Sequence, residues 1–259
     1  MRDYTKTRFT FDGEMRDVYR RGNGPGVLIM HEVPGITPEV RRFADYVANA
    51  GFSVALPDMF GTQGREFSNA YAAQGLLRAC VSREFHVLAT NRSSPITNWL
   101  RALARSLHDE LGGPGIGAIG MCLTGNFALA LMLDDCLMAP VLSQPSLPFP
   151  LGAERRGALH ISAADLERVK QRVAGEVPLL ALRFTADPLC PPERFETLRR
   201  ELGAGFEAIE IDSSPGNPHG LPRSAHSVVT KDLVDETGHP TRQALDRVIA
   251  FFRERLPRA

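Results

Sequence analysis

Gly115-Ile116-Gly117-Ala118-Ile119-Gly120-Met121-Cys122-Leu123-Thr124-Gly125 carries no charge and then changes character. Residues 115–122 form a continuous apolar run, not an alternating one, which predicts a strand buried on both faces of a parallel sheet. Residues 126–133 follow with helical spacing. A strand that feeds straight into a helix needs a sharp turn between them, with small neighbours where the backbone folds tightly. The apex residue, Cys122, is expected to stand clear of the sheet at a helix N-terminus, where the dipole favours thiolate. The plainer reading is that Cys122 ends a buried strand and packs inside.

The pattern repeats on either side. Upstream, residues 26–33 (GVLIMHEV) form a buried strand that Pro34-Gly35 breaks. Residues 38–50 place Val40, Phe43, Ala44 and Val47 at helical spacing, with Gly51 set to end the helix. Residues 52–60 hold a second buried strand, stopped at Pro57. Before these, residues 8–13 and 15–22 read as two strands around the Asp12-Gly13 turn signal. Residues 96–111 are helical and end at Gly112-Gly113-Pro114-Gly115. That glycine cluster precedes a strand, so it is a turn and not a nucleotide loop. Downstream come a short strand and loop (141–148), a helix (162–173, Ser162 as N-cap) and a buried strand (178–187). A helix (193–202), a strand (205–212) and an amphipathic helix (241–256) complete the chain. Residues 61–92 mix Gly-rich and helical pieces without a single pattern. Alternation after an initial hairpin predicts one α/β domain over 1–259. Its sheet is mostly parallel, with an antiparallel N-terminal hairpin and helices on both faces.

Composition narrows the function. The chain has 259 residues, 43% hydrophobic and 23% charged, an ordinary globular mixture that argues against a wholly disordered chain. Lys plus Arg and Asp plus Glu each number 30, so the formal net charge is zero and no global field draws in nucleic acid or an anionic membrane. No stretch approaches the roughly 18 apolar residues of a spanning helix. MRDYTKTRFTFDGEMRD lacks a signal-peptide core, and a cytoplasmic location is expected. Cys80, Cys122, Cys136 and Cys190 form no CxxC pair, which argues against a zinc knuckle or thioredoxin-like site. Cys80 and Cys136 read as small buried fillers. No P-loop or dinucleotide fingerprint occurs, and no cofactor or metal is expected. A metal site from His219, His226, His239 and Cys190 would need unusual loop geometry.

In parallel sheets the chemistry gathers at the carboxyl ends of the strands. Those ends carry His31-Glu32-Val33, Cys122 and Asp187, and the loop after residue 212 carries His219 and His226. Together they supply a nucleophile, a base and a base-orienting acid. His219, between Pro218 and Gly220, competes with His226 as the base. His31 reads as a hydrogen-bonded structural histidine, His239 as exposed before Pro240, and Asp58 as a turn cap. Cys190 either lines the pocket or packs beneath the following helix.

The set His31-Glu32-Val33-Pro34-Gly35, Pro57-Asp58-Met59-Phe60, Gly120-Met121-Cys122-Leu123, Asp187 and Ser224-Ala225-His226-Ser227, in this order, resembles the dienelactone hydrolase family. This is the cysteine branch of the α/β-hydrolase fold, and the resemblance covers nearly the whole length. It implies a Cys122–Asp187–His226 triad, in the order nucleophile, acid, histidine. Glu32 matches the family's extra carboxylate, which helps deprotonate the thiol. The N–H groups of Leu123 and Val33 match its oxyanion donors. The expected activity is cysteine-dependent hydrolysis of a small ester or lactone through an acyl-thioester. The same site could instead serve a thioester or larger carboxylester, or the fold could persist in a silent binding protein. The intact Cys122, Asp187, His226 and Glu32 count against the last.

Two positions depart from the family. Thr124 stands where a glycine is common and is expected to crowd a tight elbow. Thr230, followed by Lys231, stands where the founding enzymes carry an arginine that grips a substrate carboxylate. Arg83 lies where the family places its other anchoring arginine; a solvated helix charge is the plainer reading. Residues 143–175 are expected to shape the pocket entrance. Oligomeric state has no signature in the sequence.

Overall fold

A computed structural model describes residues 1, 3–81 and 95–257. Eight strands form one sheet in the order β1-β2-β4-β3-β5-β6-β7-β8. β1 (Thr5–Phe11) and β2 (Glu14–Arg21) make the antiparallel hairpin, and β2 joins β4 (Ser53–Pro57) antiparallel. β3 (Gly26–Met30), β5 (Ile116–Met121), β6 (Leu137–Ser143), β7 (Leu179–Phe184) and β8 (Phe206–Ile211) continue in parallel from β4. This is an α/β-hydrolase-like architecture.

The central strands are apolar throughout because successive side chains point to opposite faces and each face has its own core. Leu28, Met30, Ala118, Leu179 and Ala181 feed one core; Val27, Ile29, Ile119, Met121, Leu180 and Leu182 feed the other. Helix α1 (Pro38–Asn49) covers the second core through Val40, Phe43, Ala44 and Val47. Thr37 caps it by accepting the Val40 N–H. α2 (Asn69–Val81) lies within the stretch of mixed sequence pattern. α3 (Pro95–Leu111) and α4 (Phe127–Leu131) lie on the first core. α5 (Ala153–Gly157) is short; α6 (Ala163–Ala174) begins at the expected Ser162 cap, whose Oγ accepts the Asp165 N–H at 3.1 Å. α7 (Pro192–Leu202) belongs to the first core and α8 (Pro240–Arg255) to the second.

Several boundaries differ from the sequence reading. β3 stops at Met30 and not at residue 33: the Glu32 carbonyl accepts the Gly35 N–H in a local turn, and the His31 carbonyl lies 3.3 Å from the Thr124 hydroxyl. β6 begins at Leu137, four residues before the expected start, in register with β5. The helix expected over 126–133 is only α4. No helix of the described residues is long and apolar enough to cross a membrane.

Candidate active site

β5 delivers Cys122 to the carboxyl edge of the sheet, where its φ of +55° lies in the left-handed region. For a non-glycine residue this costs about 1–3 kcal/mol and persists only where the surroundings impose it. Here they do. A Cβ on Gly120 would stand 2.1 Å from the Thr124 carbonyl oxygen, and one on Gly125 would stand 2.5 Å from Pro145 Cα. Both positions admit only glycine at this chain spacing. The Cys122 carbonyl accepts N–H bonds from Gly125 at 3.0 Å and Ser146 at 2.9 Å.

Thr124 does not crowd this turn. Its side chain is fully buried, and Oγ1 accepts the Met121 N–H at 2.9 Å and lies 2.8 Å from the Met30 carbonyl. The hydroxyl ties the elbow to β3. Cys122 opens a 3₁₀ turn, Cys122–Thr124, and not a full helix. The contribution of a helix dipole to its thiolate is therefore smaller than the sequence suggested, and its neighbours matter more.

The principal neighbour is His226. Its Nδ1 lies 2.7 Å from Asp187 Oδ2, and Asp187 Oδ1 accepts the Leu189 N–H at 2.9 Å. Asp187 is buried at the end of β7, so both its oxygens are committed. The buried Nε2 has no hydrogen-bond partner among the described residues. Burial opposes a charge on His226. The Cys122 sulfur and Asp187 outweigh it, and its pKa lies well above the ordinary 6.5.

Glu32 sits behind them. Its side chain is buried, with Oε2 accepting from Gln144 Nε2 at 3.0 Å and Ser227 Oγ at 2.7 Å, and Oε1 from Thr230 Oγ1. Burial raises its pKa, opposed by the Thr230 hydroxyl, the His226 charge and the Ser227 hydroxyl. Thr230, which stands where the founding enzymes carry an arginine, serves the carboxylate directly. Val33 follows Glu32 beyond β3, and Leu123 follows Cys122 within the 3₁₀ turn.

The remaining candidates separate clearly. His31 is structural: its Nε2 accepts the Met59 N–H at 3.1 Å, its Nδ1 lies 3.1 Å from the Glu32 carbonyl, and burial lowers its pKa to about 4. His219 is exposed and packs edge-on against His239, with 5.4 Å between ring centroids. His239 is half-buried, not exposed, and caps α8 by accepting the Thr241 N–H. Asp58 is partly buried, and burial raises its pKa. Cys190 is fully buried under the first core, and burial pushes its thiol up. Cys136 is half-buried. Arg83 lies outside the described residues, as does the side chain of Cys80. Among the described residues, no three His, Cys, Asp or Glu side chains are grouped to hold a metal ion.

Sequence reasoning missed three participants. Gln144, at φ +34°, bonds Glu32; Ser227 bonds the other side of the same oxygen; Asp232 accepts the N–H groups of His226 and Ser227 at 2.8 and 2.9 Å. Only the place of Gln144 at the carboxyl end of β6 offered a signal. Arg194 is also buried, and donates to the carbonyls of Pro145, Pro148, Arg155 and Ala158, pinning residues 145–158 over the elbow.

The chain matches the Dienelactone hydrolase family over residues 16–256. It is 26% identical over 198 residues to a "Putative carboxymethylenebutenolidase" of Saccharomyces cerevisiae, spanning 74% of this chain and 69% of that protein. A dienelactone hydrolase-like promiscuous phosphotriesterase from metagenomic libraries superimposes with a TM-score of 0.62 at 19% identity, over 98% of both chains. A dienelactone hydrolase of Anabaena variabilis gives 0.63 at 13% identity, over 98% of this chain and 99% of that one. At these identities the two structures speak for the fold.

Proposed function

The chain belongs to the dienelactone hydrolase family, and from that premise we propose that it hydrolyses small esters or lactones through Cys122, His226 and Asp187. The observation that carries the proposal is the 2.7 Å hydrogen bond between His226 Nδ1 and Asp187 Oδ2, which leaves the buried Nε2 unpaired, with Cys122 acting electrostatically on the ring. The residue with the least comfortable backbone in the strand-to-helix turn is thus the one with a base at hand.

The thiolate attacks the carbonyl carbon, and the carbonyl electron pair moves onto oxygen. The N–H groups of Leu123 and Val33 receive that oxyanion, each worth about 3–4 kcal/mol. The tetrahedral species collapses, the C–O bond breaks, and the imidazolium of His226 gives its proton to the leaving alkoxide. In a lactone the alcohol stays attached to the acyl group. Neutral His226 then takes a proton from water, the hydroxide attacks the thioester, and thiolate leaves. Asp187 keeps the proton-bearing Nδ1 in place and stabilises the imidazolium. Glu32 lies within the charge field of His226 and is the reserve carboxylate for the thiol proton. The comparison with the yeast protein supports lactones as the first substrates to assay, and the family as a whole supports esters.

Cys122→Ala should abolish turnover of a panel of lactones, aryl esters and acyl thioesters, while the thermal unfolding midpoint stays close to the parent. Retained turnover defeats the assignment. Absence of turnover on the whole panel by the parent, together with Cys122 labelling no faster than Cys136, favours a silent protein with this fold.

A further inference from the structure

The histidine is carried by an irregular segment. Residues 222–232 contain neither helix nor strand, so no ladder of backbone bonds sets the position of His226. Within that segment two consecutive side chains diverge. His226 reaches Asp187 at 2.7 Å, and Ser227 reaches Glu32 at 2.7 Å. Their backbone N–H groups converge on a single atom, Oδ2 of Asp232, at 2.8 and 2.9 Å. The Asp232 N–H returns a bond to the Ser227 carbonyl at 3.0 Å and closes the turn. The second oxygen, Oδ1, lies 3.8 Å from Lys231 Nζ, and the Asp232 side chain is 12% exposed.

Resting on the triad reading above, we propose that Asp232 is a positioning residue for the reaction, setting His226 and the Glu32 hydrogen-bond shell in one register through two adjacent amides. A carboxylate suits the task because one oxygen accepts two N–H bonds, and an ionised acceptor makes them stronger than a neutral one would. The rest of the segment is not a substitute. The Ala225 N–H bonds to Pro222 inside the same turn, and Thr230 bonds to Ser227 at 3.4 Å. Asp232 Oδ2 is bonded to the His226 and Ser227 N–H groups, so it acts through where those two residues stand.

The test separates position from charge. Asp232→Asn keeps an oxygen at the acceptor position and removes the charge. Asp232→Glu keeps the charge and moves the acceptor by one methylene. The readings are kcat and KM on an aryl ester and the pH midpoint of iodoacetamide labelling at Cys122, with urea unfolding to confirm the fold. Asp232→Asn is expected within about threefold of the parent in kcat. Asp232→Glu should lower kcat about 10- to 100-fold, the scale of an ångström-sized misplacement, with KM nearly unchanged. Its labelling midpoint should rise, because the base that takes the thiol proton has moved. A merely structural role would leave that midpoint where it is. Should Asp232→Glu not fold, Asp232→Ser, whose hydroxyl falls short of the same point, replaces it with the same expected readings. Parent-like kcat and midpoint in the displaced variant overturn the proposal, as does an equal loss in Asp232→Asn. His226→Ala is the companion control. If it labels with the parent's profile, the triad reading fails; if it loses the profile while the displaced variant keeps it, only the role of Asp232 fails.

Discussion

Replacing Thr124 by Val removes one oxygen atom from the elbow and little else. That oxygen accepts the Met121 N–H at 2.9 Å and pairs with the Met30 carbonyl at 2.8 Å, inside a fully buried site. Valine strands the Met121 N–H, which costs about 1–3 kcal/mol, and removes a second bond worth about 0.5–1.5 kcal/mol. The added methyl returns about 1 kcal/mol of apolar burial. The net loss is about 0.5–3.5 kcal/mol, and at about 2–4 °C per kcal/mol for a chain of this size the unfolding midpoint falls by about 1–14 °C. The same loss frees the turn from β3, so the left-handed backbone of Cys122 can relax and the thiol leaves its place beside His226. We expect kcat on an aryl ester to fall about tenfold or more, by the sensitivity of catalysis to ångström-scale misplacement. Thr124→Ser, which keeps the hydroxyl, should stay within about 1 kcal/mol of the parent. Circular dichroism melting and steady-state kinetics on the three proteins decide it. If the valine variant melts and turns over like the serine variant, the hydroxyl does not hold the elbow and the reasoning fails.

Two further perturbations test other parts of the site. Glu32→Gln replaces a carboxylate whose pKa burial raises above the ordinary 4.5. A raised folded-state value means that its contribution to stability is complete below the unfolded pKa and is lost as pH rises through the folded one. Relative to the parent, the glutamine variant should therefore gain stability from acid toward neutral pH, read as urea midpoints between pH 4 and 8. A flat difference refutes the cause, and an unchanged turnover rate removes Glu32 from thiol activation. Gly125→Ala drives a Cβ to 2.5 Å from Pro145 Cα, a backbone atom that has no rotamer with which to yield. Overpacking of this kind costs about 1–3 kcal/mol and should lower both the melting temperature and kcat/KM. A variant that keeps both shows that residues 145–158 do not clamp the turn.

Much of the architecture was legible because its causes are local. The apolar runs that became β3, β4, β5 and β7 announce strands with two covered faces, and Asp12-Gly13 announces the hairpin. The helix after the elbow was overread for a physical reason: residues 127–131 are apolar on every side, and a buried run has no stripe that marks its ends. β6 starts four residues before the expected 141, because pairing with β5 carries the strand through Pro140. Thr124 was judged by size alone. In the fold its hydroxyl finds acceptors and a donor that offset the crowding.

By itself the sequence determined the order of elements, the apex at Cys122 and the short set of reactive side chains at strand ends, since each follows from spacing within a dozen residues. The family resemblance pointed to His226 over His219; tertiary structure set His226 against Asp187 and brought in Thr124, Gln144, Ser227 and Asp232. The contacts that do this join Thr124 to Met30 across 94 positions, Gln144 to Glu32 across 112 and Ser227 to Glu32 across 195. A hydrogen bond is specified by the positions and directions of two groups in space. For partners so far apart along the chain, only the packing of the sheet and its loops supplies those positions.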